Sequence, residues 1–163
     1  MSDFRLDTVG PVRDCAVLQV AGEVDAYTAP MLREQIRDLA AKDVVYLVAD
    51  LSAVDFLDST GLGALVGGLK RLREAGGSLA LVITTPRILR LFQITGLTKV
   101  LAIHPTVAEA ITADPRWQHT AETEAGTVPL WCHQHGLSLV RVACSQSEPR
   151  RDTVGLRTAN RWR

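Results

Sequence analysis

Between residues 4 and 113, short apolar runs alternate with longer segments whose apolar residues recur at helical spacing. The runs Cys15–Gly22, Val44–Leu51 and Ser78–Thr84 are continuous and rich in aliphatic and β-branched residues, which is typical of strands buried on both faces. Segments with the helical period separate these runs. Because strands that alternate with helices are joined by right-handed crossovers, the pattern predicts an α/β fold: a mixed central β-sheet of about four to five strands, covered by about four helices.

Start and stop signals place the boundaries of these elements. Thr28 and Pro30 favour the start of the first helix, and the helical period puts Met31 of that helix and Val66 of the next on the inward apolar stripes. The predicted elements are, in order, a strand near residues 4–9, a strand at 15–22, a helix at 28–41, a strand at 44–51, a loop at 52–58, a helix at 59–74, a strand at 78–84, a helix at 85–96, a strand at 100–103 and a helix at 106–113.

The chain changes character after Arg116. At 163 residues and 47% apolar content, it is long enough for one domain with a hydrophobic core. Beyond that point Trp117–Thr127 is polar and acidic, and Ser145–Arg163 is polar and rich in arginine. We therefore expect one domain at residues 3–115 and a flexible C-terminal extension at residues 116–163, in which Leu137–Ala143 is an isolated candidate strand.

The balance of charge argues against a polyanionic partner. Lys plus Arg and Asp plus Glu number 18 each, so no overall field attracts nucleic acid or an anionic membrane. No run reaches the length of a membrane helix, and Met1–Asp7 lacks the basic region and apolar block of an export signal. Three scattered cysteines make no disulfide framework. We expect a cytoplasmic protein with no membrane insertion and no direct contact with nucleic acid.

The segment Val54–Gly63 leads from the third predicted strand into the second helix. Asp58 or Ser59 can cap this helix, which is worth about 1 kcal/mol. The helix also contains several glycines, each of which costs about 1 kcal/mol relative to alanine. Glycine lets another chain approach closely, either the protein's own sheet or a partner. The glycines are Gly61, Gly63, Gly67 and Gly68.

Three segments of the chain resemble one known family. Phe56–Leu62 (Phe-Leu-Asp-Ser-Thr-Gly-Leu) resembles the phosphorylation-site motif of the anti-sigma factor antagonists of the SpoIIAA type, which are small STAS domain proteins. Gly22–Asp25 (Gly-Glu-Val-Asp) resembles the family's turn before its first helix, and Arg90–Leu97 resembles its segment before the last strand. The three segments occur in the family's order over roughly residues 4–113. The resemblance implies a single STAS domain.

The resemblance also implies a partner switch. In this family the unphosphorylated antagonist binds an anti-sigma factor that is a serine kinase, which frees a sigma factor; phosphorylation then releases the antagonist, and a phosphatase resets it. Ser59 matches the phosphorylated serine, and Thr60 is a second candidate site. No catalytic residue, metal or cofactor is implied in this chain, because ATP comes with the kinase. The positions implied to bind the partner are Glu23, Asp25, Asp58, Thr60, Gly61 and Leu62.

Other functions stay open on the residues alone. A STAS domain also serves as a subunit of a transporter complex or of a stress-signalling scaffold. Asp55 and Asp58 offer two carboxylates for Mg²⁺, but no third ligand or phosphate-binding lysine is evident. Ser59 lacks the Gly-x-Ser-x-Gly surroundings of a hydrolase nucleophile, and the chain has no P-loop. A hydrolytic or nucleotide-binding enzyme is therefore the least favoured interpretation.

Two further groups of residues have two interpretations each. One group carries zinc-ligating atoms without the spacing of a zinc finger, which favours incidental residues over a metal site. The other either packs in the core or forms an exposed apolar patch for a kinase or a second copy of the chain. The first group is His119, Cys132, His133, His135 and Cys144, and the second is Leu89, Ile94 and Leu97.

Overall fold

A computed structural model of the chain describes residues 3–137. Its strands and helices are, in chain order, β1 (Arg5–Val12), β2 (Cys15–Val24), α1 (Ala29–Ala41), β3 (Tyr46–Leu57), α2 (Ser59–Glu74), β4 (Ser78–Val82), α3 (Pro86–Ile94), a 3₁₀ turn (Leu97–Lys99), β5 (Ala102–His104), α4 (Val107–Thr112), α5 (Pro115–Ala125) and α6 (Val128–Gln134). Within this part of the chain, no helix is both long and apolar enough to cross a membrane.

The strands of residues 3–137 form one mixed sheet in the order β1-β2-β3-β4-β5. β1 pairs antiparallel with β2, and each later pair is parallel, with a helix in every crossover. The predicted α/β fold with a mixed sheet is confirmed. The described residues contain six α-helices where about four were expected.

Both faces of the sheet are covered. We call the side packed by α1, α2 and α3 the front face and the side packed by α4, α5 and α6 the back face. Successive residues of a strand point to opposite sides, so Ala16 and Leu18 of β2 lie in the front core while Cys15 and Val17 lie in the back core. The continuous apolar runs of the sequence follow from this double burial.

β3 is longer than expected, and the loop predicted at residues 52–58 is wrong. The strand continues to Leu57, because Gly22, Glu23 and Val24 of β2 pair with Val54, Phe56 and Leu57. A shift in register between Gly22 and Glu23 adds one residue on the β3 side. Val54 and Leu57 are buried although charged and exposed residues lie between them, which is why the segment reads as a loop in the sequence.

The predicted flexible extension is wrong for residues 116–137. α5 and α6 fold onto the back face, where Trp117 and Trp131 are fully buried with ring centroids 5.0 Å apart in an edge-to-face arrangement. Arg116 Nη2 donates to Asp14 Oδ2 at 2.7 Å, which ties α5 to the β1–β2 turn. Few apolar residues carry this packing, so the segment looks polar on average. Residues 138–163, which include all but the first residue of the candidate strand Leu137–Ala143, lie outside the described part of the chain.

Smaller differences concern single positions. Met31 and Val66 were expected inside but are exposed, because Leu32, Ile36, Leu65 and Leu69 occupy the inward stripes of α1 and α2. The last strand begins two residues later than predicted, at Ala102, because Leu97–Lys99 forms a 3₁₀ turn that carries Val100 to the surface.

Candidate functional site

Ser59 is the first residue of α2, at the edge of the sheet where the parallel strands end. Asp58 before it has an extended backbone and caps the helix: its Oδ1 accepts hydrogen bonds from the N–H groups of Thr60 at 2.9 Å and Gly61 at 3.0 Å. The Asp58 N–H donates to the carbonyl of Val24 at 3.2 Å, which anchors the cap to β2. The capping role left open between Asp58 and Ser59 therefore belongs to Asp58.

The Ser59 side chain is exposed, and within residues 3–137 its hydroxyl makes no hydrogen bond. Because Asp58 already supplies the cap, the Ser59 hydroxyl is not needed to complete the helix start. Thr60 is half-buried one position further along. Of the two hydroxyls, the one on Ser59 is the more accessible to another protein.

Glu23 and Asp25 lie next to this edge, because the end of β2 pairs with the end of β3. Asp25 Oδ1 accepts from the N–H groups of Tyr27 at 2.9 Å and Thr28 at 3.1 Å, which closes the β2–α1 turn. The Thr28 N–H lowers the pKa of the Asp25 carboxyl below its ordinary value, assisted by the Tyr27 N–H. Asp25 therefore shapes the turn in addition to adding negative charge.

Gly61 and Leu62, both predicted to bind a partner, are buried and so are not accessible on the surface of the folded chain. A Cβ on Gly61 would lie 2.5 Å from Leu57 Cδ1 and 2.8 Å from Val24 Cγ1, so glycine at this position lets α2 begin close against β2 and β3. Leu62 is buried in the front core. These two residues of the motif position Ser59, whose side chain is exposed beside them.

Three exposed apolar side chains at the same edge were missed in the sequence. Tyr27 in the β2–α1 turn is 88% exposed, Met31 in the first turn of α1 is 49% exposed, and Phe56 near the end of β3 is 48% exposed. Aromatic residues and methionine are enriched in protein–protein interfaces. A tyrosine in a short turn between a strand and a helix is the signal that the sequence offers for Tyr27. The helical period gives no such signal for Met31.

The end of β3, just before Ser59, is also held in place by α3. Arg87 Nη2 donates to the backbone carbonyl of Asp55 at 2.8 Å. This bond joins the end of β3 to the first turn of α3, so the edge that carries Ser59 is held from two sides: by β2 through Asp58 and by α3 through Arg87. Sequence reasoning missed Arg87, because nothing in the primary structure links residues 32 positions apart.

A model of the STAS domain matches residues 8–110, which is most of the described chain. The chain belongs to the STAS domain family. It is 45% identical over 84 residues to the anti-sigma-B factor antagonist of Listeria monocytogenes, an alignment that covers 52% of this chain and 74% of that protein.

Solved structures of similar proteins agree with this assignment. The chain is similar to an anti-sigma factor antagonist from Mycobacterium paratuberculosis, with a TM-score of 0.60 and 34% identity over 69% of this chain and 93% of that one. It is also similar to SpoIIAA of Bacillus in its phosphorylated form, with a TM-score of 0.53 and 26% identity over 68% of this chain and 98% of that one. The family model ends at residue 110, so α5 and α6 lie beyond the matched STAS region.

The remaining candidate residues lie away from Ser59. Cys132 is buried in the back core, and burial raises the pKa of its thiol to about 11, so it is protonated at neutral pH. Cys144 lies outside the described residues. Of the three apolar residues with two interpretations, Leu89 and Leu97 pack against the front core, whereas Ile94 is 74% exposed. No group of three or more metal-ligating side chains occurs within residues 3–137.

Proposed function

We propose that this STAS protein is an anti-sigma factor antagonist switched by phosphorylation. In its unphosphorylated state it binds an anti-sigma factor that is also a serine kinase, and so frees a sigma factor. Phosphorylation of Ser59 by that kinase ends the complex, and a phosphatase restores the binding form. The observation that carries the proposal is the exposed Ser59 hydroxyl at the start of α2, left free because Asp58 caps the helix.

The phosphoryl transfer is simple to accommodate at this position. The Ser59 Oγ–P bond forms as the bond between the β and γ phosphates of ATP breaks, ADP leaves, and the serine proton passes to the kinase. The new phosphate carries about −1.5 to −2 charges and lies at the positive end of the α2 dipole. The fold therefore tolerates the modification.

The same phosphate weakens the complex with a bound partner. A doubly charged group about 6 Å from one interfacial carboxylate is repelled by about 5 kcal/mol before screening, at an effective dielectric constant near 20. A third of that value weakens binding by about tenfold. Asp58 and Asp25 already make this edge acidic, so the partner surface facing it is expected to be basic or rich in hydrogen-bond donors.

Two findings support the proposal from outside the chain. The Listeria monocytogenes relative is an anti-sigma-B factor antagonist, and SpoIIAA has been solved in a phosphorylated form. Members of this group regulate other proteins by binding them, so we expect no enzymatic turnover by this chain.

The decisive experiment uses purified full-length chain with each anti-sigma-type serine kinase of its source organism. After incubation with ATP, mass spectrometry is expected to find phosphate on Ser59, and the affinity for the kinase is expected to fall by about tenfold or more. Ser59→Ala should bind the kinase but accept no phosphate, and Thr60→Val serves as the matched control that still accepts it. Phosphate on Thr60 with Ser59 unmodified, or a phosphorylated chain that binds as tightly as before, would contradict the proposal.

A further inference from the structure

A basic cleft lies between α1 and α2, on the outer side of the front face. It has a volume of about 120 Å³, and three arginines line it: Arg33 and Arg37 from α1 and Arg71 from α2. No carboxylate lines the cleft. Arg37 pairs with Glu34 at its rim at 2.9 Å, with both side chains about half exposed. The side chains of Arg33 and Arg71 make no hydrogen bond or ion pair with any residue between 3 and 137.

The exposed ridge of α2 beside this cleft consists of small residues, and packing within the described chain does not require two of them to be small. A Cβ on Gly63 or Gly67 would meet nothing within 4 Å, whereas a Cβ on Gly68 would lie 2.9 Å from Ile36 Cδ1 of α1. Gly68 is therefore explained by the contact between the two helices. Gly63 and Gly67 each cost the exposed helix about 1 kcal/mol without improving the packing of the described chain.

A second depression borders the other side of the same ridge. It is open, with a volume of about 410 Å³, and its apolar floor includes Val66 and Val100, which are both exposed. Lys70 and Arg73 line it together with one carboxylate, Glu74. The two hollows thus place five cationic side chains around an apolar ridge without bulky side chains, against two carboxylates, Glu74 in the second hollow and Glu34 paired with Arg37.

The helix dipole explains only part of this charge. Arg71 and Arg73 lie in the last turn of α2, where cations are favourable. Arg33 and Arg37 lie in the middle of α1, whose last turn holds no basic residue. We propose that the surface formed by Arg33, Arg37, Gly63, Gly67, Lys70 and Arg71 binds an acidic amphipathic helix of a partner protein.

The charges select this occupant over the alternatives. The chain's own residues 138–163 carry six arginines and two acidic residues, so they do not complement a basic cleft. The chain has no net charge, and acidic groups lie at the Ser59 edge of the same helix, which is unfavourable for an extended polyanion such as nucleic acid. An amphipathic helix matches both features of the surface, with apolar side chains for the bare ridge and carboxylates for the arginines.

A defined peptide tests the surface on the full-length chain, independently of any kinase. The probe is an amphipathic peptide of about 18 residues, or five helical turns, with leucines on one face and glutamates beside them. The matched control replaces every glutamate with lysine. We expect the glutamate peptide to bind at least about tenfold more tightly, to weaken as salt rises, and to shift the amide resonances of α1 and α2.

Two variants locate the binding. Arg33→Glu with Arg37→Glu should lower the affinity for the glutamate peptide by about tenfold or more, while Arg5→Glu with Arg90→Glu, two exposed arginines elsewhere, should change it less than about twofold. Gly67→Gln should also block binding, because its side chain would occupy the space that the partner helix needs beside α2. Glutamine has a higher helix propensity than glycine, so the variant remains folded.

Several results would overturn the inference. These are equal binding of both peptides, no binding of either, or unchanged affinity in both the arginine and the Gly67 variants. Tighter binding of this surface to duplex DNA or to phosphatidylglycerol vesicles than to the peptide would assign it to a polyanion instead. Loss of Ser59 phosphorylation leaves the peptide assay unaffected, so failure of the proposed function and failure of this inference are distinguishable.

Discussion

The front and back faces of the sheet are built from the same strands, but the helices that cover them have very different sequence patterns. On the front face, α1, α2 and α3 follow their strands directly and present regular apolar stripes. On the back face, α5 and α6 form a polar segment held by two tryptophans and a few small residues. The front face carries Ser59 and lies within the region matched by the family model, and much of the back face lies beyond it.

Under the proposed function, this difference separates the part of the molecule that binds a partner from the part that stabilises the fold. The end of the front face that carries Ser59 contains glycines, exposed apolar side chains and an exposed hydroxyl. These features add little to stability and are suited to binding. The back face uses large, fully buried rings and an ion pair from Arg116 to Asp14. Substitutions on the two faces should therefore have separable effects on binding and on folding.

The largest expected effect is on the back face. Trp131→Ala removes a fully buried ring and should lower the free energy of unfolding by about 3 to 5 kcal/mol, measured by urea denaturation. Leu130→Ala, at a neighbouring position that is 45% exposed, is the control and should change it much less. At a low temperature where Trp131→Ala and the parent chain are equally folded, phosphorylation of Ser59 should be the same in both. A large loss of phosphorylation in the variant would mean that the two faces are coupled.

A pair of glycine substitutions tests the front face. Gly61→Ala places a methyl group against Leu57 and Val24 and should lower the free energy of unfolding by about 1 to 2 kcal/mol. Gly63→Ala meets open space and should raise it by up to about 1 kcal/mol. Thermal unfolding of both variants checks the signs. Equal effects would show that local helix propensity, not contact with β2 and β3, determines these positions.

The cap of α2 should give a smaller effect. Asp58→Ala leaves the Thr60 and Gly61 N–H groups without their acceptor and should cost about 1 kcal/mol of unfolding free energy. Asp58→Asn keeps an acceptor oxygen and should recover most of the loss. If Asp58→Ala is as stable as the parent chain, the Ser59 hydroxyl can take over the cap and is not free in the sense proposed.

The smallest expected effect is the pH dependence of the β2–α1 turn. The pKa of Asp25 in the folded chain lies below its ordinary value of 3.8, so its ionised form stabilises the fold above that pH. This contribution is lost as the pH falls through the folded-state pKa. Asp25→Ala should therefore reduce stability at neutral pH but not at a pH below that pKa, and an NMR titration of the carboxyl gives the pKa directly. A pKa at or above 3.8 would contradict the turn geometry.

Periodicity and motif order were sufficient for most of the front face. The helix at 59–74 was predicted with its observed ends, because an unbroken apolar stripe follows Asp58 and a glycine pair follows Glu74. The mixed sheet followed from the alternation of strands and helices. These features depend on neighbours within one or two turns of the chain, and such local preferences are visible in a sequence.

The rest required contacts between residues far apart in the chain. Trp117 and Trp131 read as isolated apolar residues in a polar segment until they meet each other and the back of the sheet. The extension of β3 to Leu57 depends on pairing with Val24, and the brace from Arg87 to Asp55 spans 32 positions. The motif in the sequence alone predicted Ser59 as the phosphorylation site. Only the tertiary structure decided that Asp58 caps the helix and leaves the Ser59 hydroxyl exposed, because burial and hydrogen-bond partners exist only once distant segments have packed.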